Sequence, residues 1–200
     1  MAQEGSLFLL IFAIFGAAAA LFGLWPVALA FGLGAAFMAF FFRDPKRKVP
    51  EGDGLIVSSA DGRVTRVDRD ETQVVVSVFL SPVDVHINRA PAAGPVRSVE
   101  LVPGRKLPAT NDRASFENER AVVAIEAGDR EIFCTQIAGI VARRIVCRAK
   151  AGDTLERGER YGLIKFSSRT DVAFPAEAEI FVKVGDRVRG GETVLAKLPT

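Results

Sequence analysis

From Gly5 to Phe42 the chain runs for 38 residues without a charged side chain. That is nearly twice the ~20 residues a helix needs to cross the hydrocarbon core of a bilayer once, and Pro26 stands near its middle. A helical hairpin of two short spans is therefore predicted, the first from about Leu7 to Trp25 and the second from about Val27 to Phe42. Gly32 and Gly34 would let the two helices approach closely. A signal peptide is disfavoured, because no basic residue precedes the apolar run and the run is too long. Phe40, Phe41 and Phe42 lead directly into Arg43-Asp44-Pro45-Lys46-Arg47-Lys48, an aromatic belt followed by four positive charges. The positive-inside rule puts this end in the cytoplasm, and the basic cluster attracts anionic lipid headgroups at about 1 kcal/mol per residue. A tight hairpin leaves both termini on the cytoplasmic side, and a re-entrant hairpin has the same sidedness.

Beyond the hairpin the character changes. All 26 Lys and Arg lie from Arg43 onward and Glu4 is the one acidic residue before them, so residues 43–200 carry 26 minus 23, a net +3. That is too mild for a nucleic-acid protein. Cys134 and Cys147 are too few for a disulfide framework and lack the close paired spacing of a zinc site, so both are read as buried thiols.

From Gly54 on, short runs rich in Val and Ile alternate with Gly, Pro, Asp and Asn, the pattern of a mainly β domain. Runs from Gly62 to Val67, Gln73 to Leu80, Gly94 to Leu101, Ala121 to Glu126, Glu131 to Ile137 and Val141 to Arg148 are expected strands. Ala178 to Ala196 reads as two strands around the Gly185-Asp186 turn, followed by a Gly190-Gly191 turn. It resembles the closing half of a biotinyl/lipoyl-type barrel-sandwich, without the exposed lysine that such carriers modify. The expected organisation is a membrane hairpin (1–42), a basic juxtamembrane linker (43–53), and a barrel-sandwich-like domain of short strands (54–200).

Three separated places carry chemistry. Asp61 stands in Ser58-Ser59-Ala60-Asp61-Gly62, where an Asp-Gly pair alone signals a turn. His86, the only histidine, lies in Phe79-Leu80-Ser81-Pro82-Val83-Asp84-Val85-His86-Ile87-Asn88-Arg89-Ala90-Pro91. Flanked by Asp84, Asn88 and Arg89 at a strand end, it can be held in one tautomer. The third is Gly162-Leu163-Ile164-Lys165-Phe166-Ser167-Ser168-Arg169-Thr170-Asp171-Val172, a strand interrupted by two hydroxyls. It reads either as a polar edge strand or as the seat of a nucleophile.

Taken together, these segments resemble the phosphatidylserine decarboxylase family in its short, pyruvoyl-dependent form. The likeness runs from Phe42-Arg43-Asp44-Pro45 through Ala60-Asp61-Gly62, Phe79 to Pro91, Pro103-Gly104-Arg105 and Asn118-Glu119-Arg120 to Lys165–Asp171. It implies an autocatalytic cut between Ser167 and Ser168, leaving residues 1–167 and 168–200 associated, with a covalent pyruvoyl group derived from Ser168. It further implies that Asp61 and His86 activate Ser168, and that no metal and no pyridoxal phosphate take part. The substrate would be phosphatidylserine in a phospholipid membrane, converted to phosphatidylethanolamine and carbon dioxide. Asn88, Arg89 and Arg169 are the candidate substrate-binding residues. The implied setting is the cell membrane, with the catalytic domain facing the cytoplasm and a homodimer as a possible assembly. The family pattern has glycine before the processed serine, and a Cβ at Ser167 is expected to slow cleavage or stop it. An uncleaved or inactive relative, or a membrane-tethered barrel-sandwich binding module, are the alternatives.

Overall fold

The computed structural model describes residues 2–105, 107–108, 111, 113–140, 145–165 and 168–199. The chain divides into two compact units, Met1–Lys46 and Arg47–Thr200.

In the first unit, a 3-10 turn over Gln3–Gly5 leads into α1 (Ser6–Leu21), and α2 (Trp25–Phe41) follows. Gly23, at φ +73°, ends α1. Leu24 N–H bonds to Ala19 O at 2.8 Å and Gly23 N–H to Ala20 O at 3.0 Å, the paired closure of a Schellman motif. Pro26 then falls in the first turn of α2, where its missing N–H costs nothing. The break predicted at the proline is thus a glycine stop followed by a proline start.

Gly34 leaves room for the Phe12 ring, which a Cβ there would meet at 2.3 Å, whereas Gly32 faces open space. Phe31 packs against Phe12 and Phe15, and Ala2 N–H bonds to Phe42 O at 2.8 Å, tying the two ends of the hairpin. Leu7, Leu10, Leu21, Phe22, Trp25, Leu29 and Leu33 remain exposed around the helices. The stretch Gln3–Leu21 is long and apolar enough to cross a membrane. Exposed apolar surface of this extent marks the hairpin as a candidate for membrane association.

The second unit is mainly β. Its strands are β1 (Leu55–Val57), β2 (Gly62–Arg69), β3 (Gln73–Leu80), β4 (Ile87–Arg89), β5 (Gly94–Val102), β6 (Arg120–Ala127) and β7 (Arg130–Ala138). They continue as β8 (Ile145–Cys147), β9 (Thr154–Leu155), β10 (Arg160–Ile164), β11 (Ser168–Pro175), β12 (Glu179–Ile180), β13 (Arg187–Val188) and β14 (Val194–Lys197), with a single helical turn, α3 (Ala114–Glu117), between β5 and β6. A curled half-barrel of eight strands runs β13-β2-β3-β11-β7-β6-β5-β9, and two three-stranded sheets, β1-β14-β12 and β4-β10-β8, accompany it.

Val64, Val74, Val76, Val78, Leu80, Val172 and Phe174 of the large sheet form one core with Ile56, Leu195, Ala196 and Leu198. Val96, Val123, Ile125 and Cys134 form a second with Ala90, Leu155 and Tyr161. Each small sheet therefore covers part of the inner face of the large one. The alternation of apolar residues along β3 places Val74, Val76, Val78 and Leu80 on that face.

The runs read from sequence appear as β2, β3, β5, β6 and β7. Of Val141 to Arg148, residues 145–147 form β8, and 141–144 lie outside the described residues. Gly162 to Val172, expected as one interrupted strand, is two strands in different sheets. The chain leaves the small sheet after Ile164 and enters the middle of the large one at Ser168.

The basic linker is also no free tether from Arg47 onward. Arg157 donates to the carbonyls of Pro50 (2.6 Å) and Gly52 (2.8 Å), and a Cβ on Gly158 would strike Val49 at 2.5 Å.

Gly62, at φ +152°, begins β2 so close to β3 that a Cβ would stand 2.1 Å from Phe79 O. Gly62→Ala is expected to destabilise the second unit by roughly 2–4 kcal/mol, measured as loss of thermal or denaturant stability in detergent.

Candidate active site

Ser168 opens β11 with Leu80 of β3 on one side and Ala138 of β7 on the other. It is fully buried, and its Oγ has no hydrogen-bond partner among the described residues. Phe166 and Ser167, the latter being the carbonyl side of the expected cut, lie outside the described residues.

His86 sits in the connection between β3 and β4, 2% exposed. Its Nδ1 lies 3.0 Å from Asp84 O, a group that can only accept, so Nδ1 is the donor of that bond. Asp84 is held in turn, because its Oδ2 accepts from Ser81 N–H (2.9 Å) and Ser81 Oγ (2.5 Å). The acid beside the histidine thus fixes the tautomer through its backbone carbonyl, and its carboxylate shapes the turn. His86 O accepts Ile164 N–H at 3.3 Å, which binds the histidine segment to the end of β10, four residues before Ser168.

Asp61 lies just before β2. Register runs Arg63–Phe79–Arg169 across β2, β3 and β11, so Asp61 and Ser168 belong to the same end of the sheet, two strands apart, roughly 10 Å between backbones. The Asp61 carboxylate accepts Arg47 Nη2 at 2.9 Å (Oδ1) and 2.7 Å (Oδ2), with Gly190 N–H on Oδ1 at 2.8 Å. These bonds join it to Arg47 and the Gly190 turn, and none of them reaches His86.

The three candidate substrate-binding residues separate. Asn88 is buried and donates to Thr170 Oγ1 at 3.0 Å, while its Oδ1 accepts Gln136 Nε2 at 2.8 Å. Thr170 is two residues along β11 from Ser168 and so shares its face. Gly162 makes space for Gln136, since a Cβ there would lie 2.9 Å from Nε2. Thr170 and Gln136 are thus site neighbours not anticipated from sequence, and only strand alternation from Ser168 could have pointed to Thr170.

Arg89 is buried and donates to Gly158 O at 2.9 Å. Arg169 faces the opposite side of the sheet from Ser168. There it is held by an ion pair with Asp171 (Nε to Oδ1, 2.9 Å) and a hydrogen bond to Ser115 Oγ, with Arg66 3.7 Å from Asp171.

The two motifs around the connection from β5 to β6 meet beside Ser168. Arg105 bridges to Asn118, and Gly104 lies so near that a Cβ would stand 2.4 Å from the Asn118 backbone. Asn118 Nδ2 donates to Ala138 O (2.7 Å) and Leu107 O (2.8 Å), and Glu119 O accepts Ala138 N–H (3.0 Å). Ala138 is the register partner of Ser168, so this clamp supports the end of the ladder.

Cys134 is fully buried near Ser59 and Tyr161, and Cys147 is half-buried. Burial pushes both thiols up, Cys134 far more strongly, and raises the Tyr161 phenol as well.

The phosphatidylserine decarboxylase family model matches residues 35–196. The phosphatidylserine decarboxylase proenzyme of Symbiobacterium thermophilum is 46% identical over 90% of this chain and 87% of its own length. That of Ruegeria pomeroyi is 44% identical over 99% and 95%, and that of Pelodictyon phaeoclathratiforme 40% over 95% and 93%. The chain belongs to the phosphatidylserine decarboxylase family.

Asn118→Ala removes the side-chain hydrogen bonds to Ala138 O, Leu107 O and Leu107 N–H and is expected to destabilise the protein by roughly 2–4 kcal/mol, read as a lowered unfolding midpoint. At pH 8 the raised Cys134 pKa leaves less thiolate than in a free thiol. Cys134 should therefore resist iodoacetamide until the protein is denatured, which peptide mapping would check.

Proposed function

We propose that this chain is the precursor of a phosphatidylserine decarboxylase that cuts itself between Ser167 and Ser168 and then converts phosphatidylserine to phosphatidylethanolamine and carbon dioxide. The family assignment supports the reaction. The observation that carries the site is the buried Ser168 Oγ, without a hydrogen-bond partner among the described residues, at the point where the chain changes sheets.

His86 Nε2 takes the Ser168 hydroxyl proton, and Oγ attacks the Ser167 carbonyl carbon. The C–N bond breaks as the C–O bond forms, giving an ester. Loss of the Ser168 Cα proton then expels the Ser167 carboxylate and separates residues 1–167 from 168–200. Hydrolysis of the new N-terminus, with loss of ammonia, leaves a pyruvoyl group. Asp61 is the third member of this set.

The surroundings of Ser168 suit such a group: Thr170 and Asn88 line its face, and the Thr170 hydroxyl, which accepts from Asn88 Nδ2, can turn its own proton to a carbonyl. Once formed, the group supplies the electron sink for breaking the bond to the carboxylate. His86 holds the proton that the carbon losing carbon dioxide must receive. Asn88 is placed to orient the headgroup, whereas Arg89 and Arg169 hold the backbone that frames it.

The cut fragments stay together for a structural reason. β11, β13 and β14 belong to 168–200 and pair with β3, β7, β2 and β1, which all precede residue 167, so the fragments share the eight-stranded sheet and the β1-β14-β12 sheet. The basic run after Phe42 supports a membrane orientation with the catalytic unit in the cytoplasm.

Intact mass spectrometry of the purified full chain should give two species, the smaller beginning at a blocked residue 168. Ser168→Ala should give one uncut chain that releases no carbon dioxide from phosphatidylserine, and Ser167→Gly should cut faster. A wild-type chain that stays whole and inactive on phosphatidylserine would sink the proposal.

A further inference from the structure

Arg47 belongs to the basic run expected at lipid headgroups, yet its side chain is only 7% exposed. Its guanidinium spans both Asp61 oxygens through Nη2 and reaches Glu192 Oε2 through Nη1 at 3.4 Å. Glu192 is fixed by Lys48 N–H at 3.0 Å, with Arg189 3.8 Å away. Chiefly the Lys48 hydrogen bond, and then the Arg47 charge, hold the Glu192 carboxyl below its usual range.

The Asp61 carboxylate is thereby set in one orientation, with Arg47 on both oxygens and Gly190 N–H on Oδ1. The backbone beside it is fixed too. Gly62 is pressed against Phe79 O, and Gly190 lies where a Cβ would be 3.2 Å from Ala60. A turn aspartate facing water needs none of this.

Nor is stability an adequate reason. Desolvating an ion pair offsets much of its attraction, and apolar side chains hold buried surfaces together as well or better. The bond between Arg157 and the carbonyls of Pro50 and Gly52 already secures the strap. What the buried arginine adds is direction.

We infer that Arg47 is a positioning residue for self-cleavage, acting on Ser168 only through the orientation of Asp61. The inference rests on reading Asp61 as a member of the cleavage set. It makes the segment that follows the apolar hairpin part of the processing machinery.

The test uses the full chain, synthesised cell-free into nanodiscs, with the cut fraction followed over time by intact mass. Arg47→Gln should slow cleavage roughly 10- to 100-fold, the scale of a misplaced reacting group, and Arg47→Lys, which keeps the charge, should restore most of the rate. Glu192→Gln should change little. The double variant R47Q/D61N should be no slower than Asp61→Asn alone, and unfolding midpoints should not follow the rates. If Arg47→Gln does not fold, Arg47→Met keeps the stem volume and takes its place.

Any of these results would overturn the inference: cleavage of R47Q within about twofold of wild type, no recovery in R47K, or losses that multiply in the double variant. Wild-type cleavage by D61N would remove Asp61 from the set and the inference with it, while leaving the proposed decarboxylase standing on the Ser168→Ala result.

Discussion

The pairing of β11 with β3 and β7 is the constraint on which the rest of this structure depends. A strand hydrogen-bonded on both sides has no freedom to slide, because a shift of one residue would turn every side chain to the other face. Val172 and Phe174 lock that register by filling the core against Val74, Val76 and Val78. Ser168 is the first residue of the strand, so the register of an apolar sheet sets the position of a polar atom at its end.

The two faces of β11 divide the work. On the inner face Thr170, Asn88 and Gln136 form a short chain of hydrogen bonds beside Ser168. On the outer face Arg169, Asp171, Ser115 and Arg66 form a charged cluster that holds the strand end and α3 in place. Asn118 and Glu119 add support from the side through Ala138. Motifs distant in sequence thus converge on one row of the sheet, and most of them brace the backbone around Ser168.

Much of this was legible in the chain. The apolar run with a central proline announced the hairpin, and alternating Val-rich runs announced β2, β3, β5, β6 and β7. Ser168, His86 and Asp61 stood out because a hydroxyl, an imidazole and a carboxylate interrupt otherwise apolar or turn-forming patterns. Less legible was the face on which each neighbour lies. Arg169 adjoins Ser168 in sequence, but successive residues of a strand point oppositely. Asp84 proved to act on His86 through its carbonyl, a group common to every residue and invisible in composition. Arg47 looked like one more member of a basic cluster, and its partners Asp61 and Glu192 lie 14 and 145 residues away.

By itself, then, the sequence determined the kinds of element, the division into an apolar hairpin and a β-rich unit, and the residue types capable of chemistry. These follow from local patterning, which depends on neighbours a few positions apart. Only the tertiary structure decided that the chain changes sheets between Ile164 and Ser168, that Thr170 and Gln136 share the face of Ser168, and that Arg47 is bound to Asp61. Such facts depend on strand order and register, which arise from packing between segments far apart in the chain and are written in no single stretch of it.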